Sequence, residues 1–191
     1  MLKLTVLMEN QTNAPMETPS KPYALGIKFG LLTGVVYVLL LLIRYRFLAS
    51  DPRLFSGSIM LSYLLILGLF AVAGLARRRS LGGFAETREI FGTIFIVILI
   101  AEVFYLVFNY VYLNYIDPDF FRTYTDTVIG YLERSGTDLS RINDQMSSLE
   151  AQNEQKRSLM DNLRLFATSV VIDGVFGLII ALVIRRPRPR Y

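Results

Sequence analysis

The sequence predicts an all-α fold: a polytopic membrane protein with four transmembrane helices and an extracytoplasmic helical hairpin between the third and fourth. Of its 191 residues, 53% are hydrophobic and only 19% charged, and the mean hydropathy is +0.43. This is more apolar than a soluble domain of this length requires. Four apolar runs are long enough to cross a hydrocarbon core of roughly 30 Å, which takes about 20 helical residues.

The four predicted spans carry very few charges. They cover residues 23–43, 54–76, 90–116 and 165–184. The first contains only Lys28, close enough to its start for the side chain to reach the headgroups, and the second contains no charge. The third contains only Glu102 and the fourth only Asp173.

The distribution of basic residues predicts the orientation. On the side of the two termini lie eleven Lys and Arg against four acidic residues, and on the opposite side nine against ten. Basic residues in short flanking segments tend to stay in the cytoplasm, so we expect both termini there. Three arginines in the turn between the first two spans argue against this, but the Arg77-Arg78-Arg79 loop and the Arg-rich tail outweigh them.

The segments before and after the spans are interpreted by composition. Residues 1–22 are predicted to be a disordered cytoplasmic N-terminus, residues 23–186 a single membrane domain, and residues 187–191 a basic cytoplasmic tail. The apolar stretch at the N-terminus is too short for a signal-peptide core, and we interpret Met8 as the start of translation.

The outer loop, residues 117–164, is predicted to form two helices. The first begins at Asp117-Pro118 and ends at Ser135-Gly136-Thr137. Apolar residues recur in it with helical spacing at Phe121, Tyr124, Val128 and Leu132. The second helix has a heptad seam of Leu139, Ile142, Met146 and Leu149. Two heptads are too few to specify a coiled coil, so we favour a hairpin within one chain over packing on another copy.

The two acidic residues inside the spans are the candidate functional site. A carboxylate in hydrocarbon costs at least ~2.5 kcal/mol and is normally protonated, paired or facing a cavity. By helical rise, Glu102 lies roughly 18 Å and Asp173 roughly 16 Å from the cytoplasmic end of its span. Antiparallel neighbours would therefore bring the two carboxyls level.

Further polar residues follow Glu102 along its helix. Tyr105 and Asn109 lie at +3 and +7, which puts one polar stripe on the outward half of the span. Such a stripe is expected either of a water-filled vestibule leading to a proton or cation site, or of a polar seam that holds helices together. We favour the polar seam.

Glycines and arginines predict contacts with helices and lipid. Span one carries Gly26, Gly30 and Gly34, whose spacing lets another helix approach closely: either span four, with its own Gly174 and Gly177, or a second copy. We favour a partner within the chain. Anionic lipid headgroups are the expected contacts of five arginines, which are Arg77, Arg78, Arg79, Arg185 and Arg186.

Composition excludes several classes of function. The chain has no Cys, His or Trp, which rules out disulfides, thiol nucleophiles, histidine bases and sites with Cys or His metal ligands. We therefore expect no enzyme activity, no metal and no cofactor. Nucleic-acid binding is not expected either, because the basic residues flank apolar segments instead of forming a patch interleaved with aromatics.

The order of parts resembles a known family. A Gly-rich first span is followed by the turn Leu81-Gly82-Gly83-Phe84, by the exit segment Asn114-Tyr115-Ile116-Asp117-Pro118-Asp119-Phe120, by an outer helical loop and by a closing span. Over about residues 22–186 this resembles the bacterial membrane-protein family called domain of unknown function 4199. The resemblance implies a bacterial cytoplasmic membrane location and carries no established activity, so no catalytic residue is transferred.

Two functions are predicted as alternatives. The first is a structural or accessory membrane protein, with a protein partner at the outer helical loop or a second copy of the chain as partner. The second is a proton- or cation-coupled transporter that uses Glu102 and Asp173 at mid-depth, with Tyr105 and Asn109 lining the outward path.

Overall fold

A computed structural model describes residues 22–136 and 159–187 of the chain. Within them the protein is all-helical. Five α-helices follow one another: α1 Pro22–Ile43, α2 Pro52–Ser80, α3 Thr87–Val111, α4 Phe120–Arg134 and α5 Leu159–Ile184. Two π-helical segments, Arg44–Leu48 and Tyr112–Ile116, continue α1 and α3.

The four long apolar helices predicted by the sequence are confirmed. Together with their π-helical continuations they form four candidate spans, Tyr23–Leu48, Pro52–Ser80, Thr87–Ile116 and Met160–Ile184. At 25 to 30 residues, each is about 38–45 Å long, which exceeds the hydrocarbon thickness and reaches the headgroup region. Four such helices are typical of a multi-pass membrane protein.

Helix α3 lies at the centre of the bundle, where it packs against α1, α2 and α5. Its two sides serve different neighbours. Along one side, Ile96, Ile100 and Phe104 fill the space beside three glycines of α1. Along the other side, Ile94 and Ile98 pack on α5.

The glycines of the first span therefore contact another helix of the same chain, as we expected, but this helix is α3 and not span four. A Cβ on Gly26, Gly30 or Gly34 would lie 2.8, 2.8 or 2.6 Å from the nearest atom of α3. The numbers of the contacting residues increase together along the two helices, so α1 and α3 run parallel. In α5, Gly177 packs on α3 in the same way at 3.0 Å, whereas Gly174 has nothing within 4 Å of an added Cβ among the described residues.

The arginine-bearing loop between α2 and α3 is joined to the end of α5; we call this side of the bundle the Arg end, after Arg77, Arg78, Arg79, Arg185 and Arg186. Gly82 and Gly83 have φ of +76° and +87°, and their N–H groups donate to the last carbonyls of α2. The loop then forms an antiparallel pair of backbone hydrogen bonds between Ala85 and Arg186, of 2.9 and 3.1 Å. Arg78 adds a bond of 2.9 Å to the carbonyl of Ile184.

Ring contacts close the opposite end of the bundle, which we call the aromatic end. Its rings belong to the ends of α1, α2 and α3 and to α4, and they are Tyr45, Phe55, Phe108, Tyr112, Phe120 and Tyr124. The closest centroids are 4.4 Å apart, between Phe55 and Tyr124, and 4.7 Å apart, between Tyr45 and Phe120. These contacts hold α4 against the bundle.

The start of α4 differs from the sequence prediction. The helix begins at Phe120 after Asp119 instead of at Asp117-Pro118. The reason is that the Asp117 N–H donates to the carbonyl of Tyr112, 2.8 Å away, and so belongs to the preceding π-helical segment. The end at Ser135-Gly136 is as predicted, with Gly136 at φ +66°. The predicted second outer helix, with its seam from Leu139 to Leu149, lies outside the described residues, as do residues 1–21.

The close contact between α1 and α3 predicts the effect of a methyl group at Gly30. In Gly30→Ala the new Cβ would lie 2.9 Å from the Ile100 Cβ, an atom that moves only with the α3 backbone. We expect a loss of about 1–3 kcal/mol in the free energy of unfolding in detergent. The matched control is Gly68→Ala on α2, where nothing lies within 4 Å, and it should be neutral or mildly stabilising. Equal stability of both variants would contradict this packing.

The contact between α2 and α4 predicts a lowered pKa for the Tyr131 hydroxyl. The Arg53 Nε donates to the Tyr131 hydroxyl, with its guanidinium carbon 5.0 Å from the ring centroid. Arg53, followed by Ser135, lowers the pKa of Tyr131 below its usual 10.0. The contribution of ionised Tyr131 to folding is therefore present above pH 10 and lost as the pH falls through the lowered pKa.

Ultraviolet difference titration measures this pKa, with Tyr131→Phe assigning the signal. Arg53→Gln should move the ionisation of Tyr131 to higher pH. Arg134→Gln on the same helix, whose guanidinium bonds instead to the Gly130 carbonyl, should leave it in place. An unchanged titration in Arg53→Gln would show that the two side chains do not interact in solution.

Candidate functional site

Two carboxyl groups meet in the middle of the helix bundle. Glu102 projects from α3 and Asp173 from α5, and their side chains are 2% and 5% exposed. They lie within hydrogen-bonding reach of each other, at the equal depth that their positions in the sequence predict. The antiparallel course of α3 and α5 makes this possible, because Gly177, one turn beyond Asp173, packs beside Ile98 and Ile94, which lie one and two turns before Glu102.

The pair is part of a hydrogen-bond network that joins three helices. The Tyr63 hydroxyl of α2 donates to Asp173 Oδ1 over 3.1 Å. Ser169 of α5 hydrogen-bonds to Glu102. Because two ionised carboxylates have no proton to donate, a hydrogen bond between Glu102 and Asp173 requires at least one shared proton. The contact between the two carboxyls links α3 to α5, and the Tyr63 hydroxyl anchors them from α2.

Helix α1 contributes two side chains to the surroundings of the pair. Thr33 is fully buried, at the level of Glu102 by the glycine contacts, and its Oγ1 has no hydrogen-bond partner among the described residues. Tyr37 stacks on Tyr105 of α3 with ring centroids 5.1 Å apart, and it interacts electrostatically with both carboxyls. Glu102 Oε2 is also buried without a partner in the described part of the chain. All four spans therefore reach this point of the bundle.

The polar stripe beyond Glu102 is packed with side chains. Asn109 is 4% exposed; its amide donates to the Tyr105 carbonyl over 3.0 Å and its oxygen accepts from the Tyr45 hydroxyl at 2.6 Å. The Tyr45 ring in turn packs on Phe108 and Tyr112. Ordinary side-chain packing thus fills the path that the sequence offered as a water-filled vestibule.

A buried arginine lies between the carboxyl pair and the aromatic end. Arg44 is 8% exposed and donates from Nε to the Ser58 hydroxyl and from a terminal nitrogen to the Ser58 carbonyl, both over 3.1 Å. Tyr37 interacts electrostatically with Arg44 as well as with the pair. Arg44 therefore supplies a positive charge on the side of the pair that faces the aromatic end.

The five arginines predicted to contact lipid headgroups divide into two groups. Arg79, Arg185 and Arg186 are exposed, and the Arg186 guanidinium lies 5.2 Å from the centre of the Phe84 ring. Arg77 is 7% exposed and so belongs to the interior, and Arg78 is held by the Ile184 carbonyl. Arg77 is buried because it lies on the inward face of α2, one turn after the buried Ala73.

In residues 22–136 and 159–187, no group of three or more His, Asp or Glu side chains lies close enough together to hold a metal ion. Two clefts, of about 370 and 580 Å³, are lined by other residues than the carboxyl pair. The chemistry that the arrangement supports is the sharing of a proton between two buried carboxyls.

Sequence reasoning placed some members of this site and missed others. Glu102 and Asp173 were recognisable because charged residues in an apolar helix stand out. Tyr37 was missed, although the signal was available: it follows Thr33 and Gly34 by about one turn and so shares their face of α1. Arg44 was counted as a residue of the outer turn, since nothing in the sequence shows that a π-helical segment carries it inward.

Comparison with known proteins gives a family and no activity. No curated protein and no solved structure matches the chain. A family model described as "Protein of unknown function (DUF4199)" matches residues 28–186, which confirms the resemblance found in the glycine-rich span, the Gly-Gly-Phe turn and the Ile-Asp-Pro-Asp-Phe segment. The chain therefore belongs to the DUF4199 family.

Proposed function

We propose that this protein is a structural or accessory component of a bacterial cytoplasmic membrane, with both termini in the cytoplasm and no enzyme activity. The observation that carries the proposal is the network around Glu102 and Asp173. It ties α2, α3 and α5 together, and the three glycines of α1 fasten the remaining span to α3. A hydrogen-bonded seam of this kind holds helices in hydrocarbon, where no hydrophobic effect does so.

The packing beyond the pair supports this function over transport. The side-chain nitrogen and oxygen of Asn109 both make hydrogen bonds, and the Tyr45 ring that bonds to it packs on Phe108 of the aromatic end. An ion moving along this stripe would have to displace Tyr45 from its 2.6 Å hydrogen bond and from its stacked neighbours. The alternative function, a proton- or cation-coupled transporter that uses Glu102, Asp173, Tyr105 and Asn109, requires such a movement.

The surface proposed for a protein partner is α4 together with the outer loop. Phe120 and Thr125 of α4 are buried against the bundle, while Arg122, Thr123 and Asp126 on its opposite face are exposed. A charged, exposed face on a helix held by rings suits a partner outside the membrane better than it suits lipid. A second copy of the chain is the alternative partner, and the bilayer with its anionic headgroups surrounds the rest.

Neutral substitutions of the carboxyl pair separate the two functions. Glu102→Gln and Asp173→Asn keep the shape and the hydrogen-bonding capacity of the site and remove its ionisable groups. In a structural site, both variants should fold with unchanged or slightly higher stability. In vesicles with an internal pH-sensitive dye, proton flux should equal that of empty vesicles for wild type and variants alike.

Two further variants complete this experiment. Glu102→Leu breaks the pair and leaves Asp173 buried alone, so we expect a loss of about 3–5 kcal/mol. Asp161→Asn neutralises an exposed carboxyl at the start of α5, 40% exposed and 3.8 Å from Arg164, and should change neither property. Proton flux in wild type that disappears in both well-folded isosteric variants would establish the transporter instead.

The orientation has its own test. A reporter enzyme that is active only in the periplasm, fused after Tyr191, should be silent, and the same reporter inserted after Gly136 should be active. The reverse result would place α4 and the outer loop in the cytoplasm and would move the proposed partner surface with them.

A further inference from the structure

A cleft at the aromatic end lies between the two π-helical segments. Its volume is about 580 Å³. The first segment contributes Arg46 and Phe47 to its lining, and the second contributes Tyr112 and Ile116. The flanking residues Leu42 and Asp117 complete the lining. π-helical turns within α-helices occur frequently at functional sites, and here two of them face one another.

The cleft combines apolar walls with two opposite charges. Leu42, Phe47 and Ile116 are 43%, 69% and 62% exposed, at the point where α1 and α3 leave the apolar part of the bundle. Arg46 and Asp117 line the same cleft, and both interact electrostatically with Tyr112. Apolar side chains beside charges and a tyrosine are the composition of a membrane–water interface.

The two charges of the cleft are not satisfied by each other. Within the described ranges, the ion pair that forms is Arg164 with Asp161, and Arg46 and Asp117 lie too far apart to make one. The Asp117 N–H donates to the Tyr112 carbonyl at 2.8 Å, which places Asp117 directly after the second π-helical segment, in the lining of the cleft. The cleft therefore offers a cation and an anion that are not paired with each other, which suits a ligand that carries both charges.

We propose that this cleft binds an aminophospholipid, with its phosphate on Arg46 and its primary ammonium on Asp117. The planar guanidinium matches a phosphate in shape and charge. The ammonium supplies N–H donors to the carboxylate, and the acyl chains begin along Leu42, Phe47 and Ile116. These two contacts select against phosphatidylglycerol and phosphatidylcholine. Phosphatidylglycerol brings no cation to Asp117, and the methylated ammonium of phosphatidylcholine has no N–H to donate.

The absence of tryptophan from the chain gives a direct test. Phe47→Trp places a single tryptophan in the cleft, and Leu54→Trp places one on α2 at the same end, where Leu54 is 56% exposed. Each protein is reconstituted in bilayers that contain phosphatidylethanolamine, phosphatidylcholine or phosphatidylglycerol with brominated acyl chains. Quenching of the tryptophan by each lipid gives its relative affinity for that position.

We expect Phe47→Trp to report phosphatidylethanolamine binding about tenfold tighter than phosphatidylcholine, which corresponds to roughly one charge-assisted hydrogen bond. Leu54→Trp should show no headgroup preference. On the Phe47→Trp background, Asp117→Asn should abolish the preference for phosphatidylethanolamine and raise the affinity for phosphatidylglycerol. Arg46→Gln should weaken the binding of both phosphatidylethanolamine and phosphatidylglycerol.

Matched controls are the exposed pair Arg122→Gln and Asp119→Asn, which change the same charges outside the cleft and should leave all three affinities unchanged. Two results would overturn the proposal: the same headgroup preference at both tryptophans, or no effect of Asp117→Asn on it. Weak quenching by all three lipids at Phe47→Trp would do so as well, since it would mean that lipid does not reach the cleft. None of these outcomes depends on the role of Glu102 and Asp173.

Discussion

Inside a hydrocarbon layer every polar side chain must find its partner within the protein, and in this bundle that constraint is concentrated on Glu102 and Asp173. The contact between the two carboxyls and the hydroxyls of Tyr63 and Ser169 bring polar partners to the site from three helices. The position of α3 follows from this. It must turn Glu102 toward α5, and the side chains about half a turn away, Ile100 and Phe104, then meet the glycines of α1. One rotation of one helix thus sets both interfaces.

The two ends of the bundle are closed by different kinds of contact. At the Arg end the contacts are backbone hydrogen bonds between Ala85 and Arg186, which depend on chain geometry more than on side-chain size. At the aromatic end they are rings, which tolerate sliding and small rearrangements better than a hydrogen-bonded pair does. Between them, the carboxyl pair is sensitive to both. A displacement of α5 at the Arg end would act directly on Asp173, because α5 is one uninterrupted helix.

The sequence was enough to predict the parts of this structure that depend on composition and periodicity. Four long apolar helices and the equal depth of Glu102 and Asp173 follow from counting residues along helices, and the end of α4 follows from the stop signal at Ser135-Gly136. The sequence was not enough to predict which helices pack against one another. The glycines of α1 fit any helix with a suitable ridge, and the isoleucines of α3 that fill them look like ordinary lipid-facing residues. The π-helical segments were equally hidden, and with them the inward course of Arg44 and the late start of α4.

The separation of the two carboxyls along the chain has a consequence for biosynthesis. Glu102 is translated 71 residues before Asp173, which at translation rates of about 5–20 residues per second is a delay of roughly 4–14 seconds. During that interval three helices are complete while their acidic group has no counterpart. The nascent chain must keep Glu102 protonated, or keep α3 beside the insertion machinery, until the last helix arrives. Completion of the bundle is then a single late event, because Glu102 meets its partner only when α5 arrives.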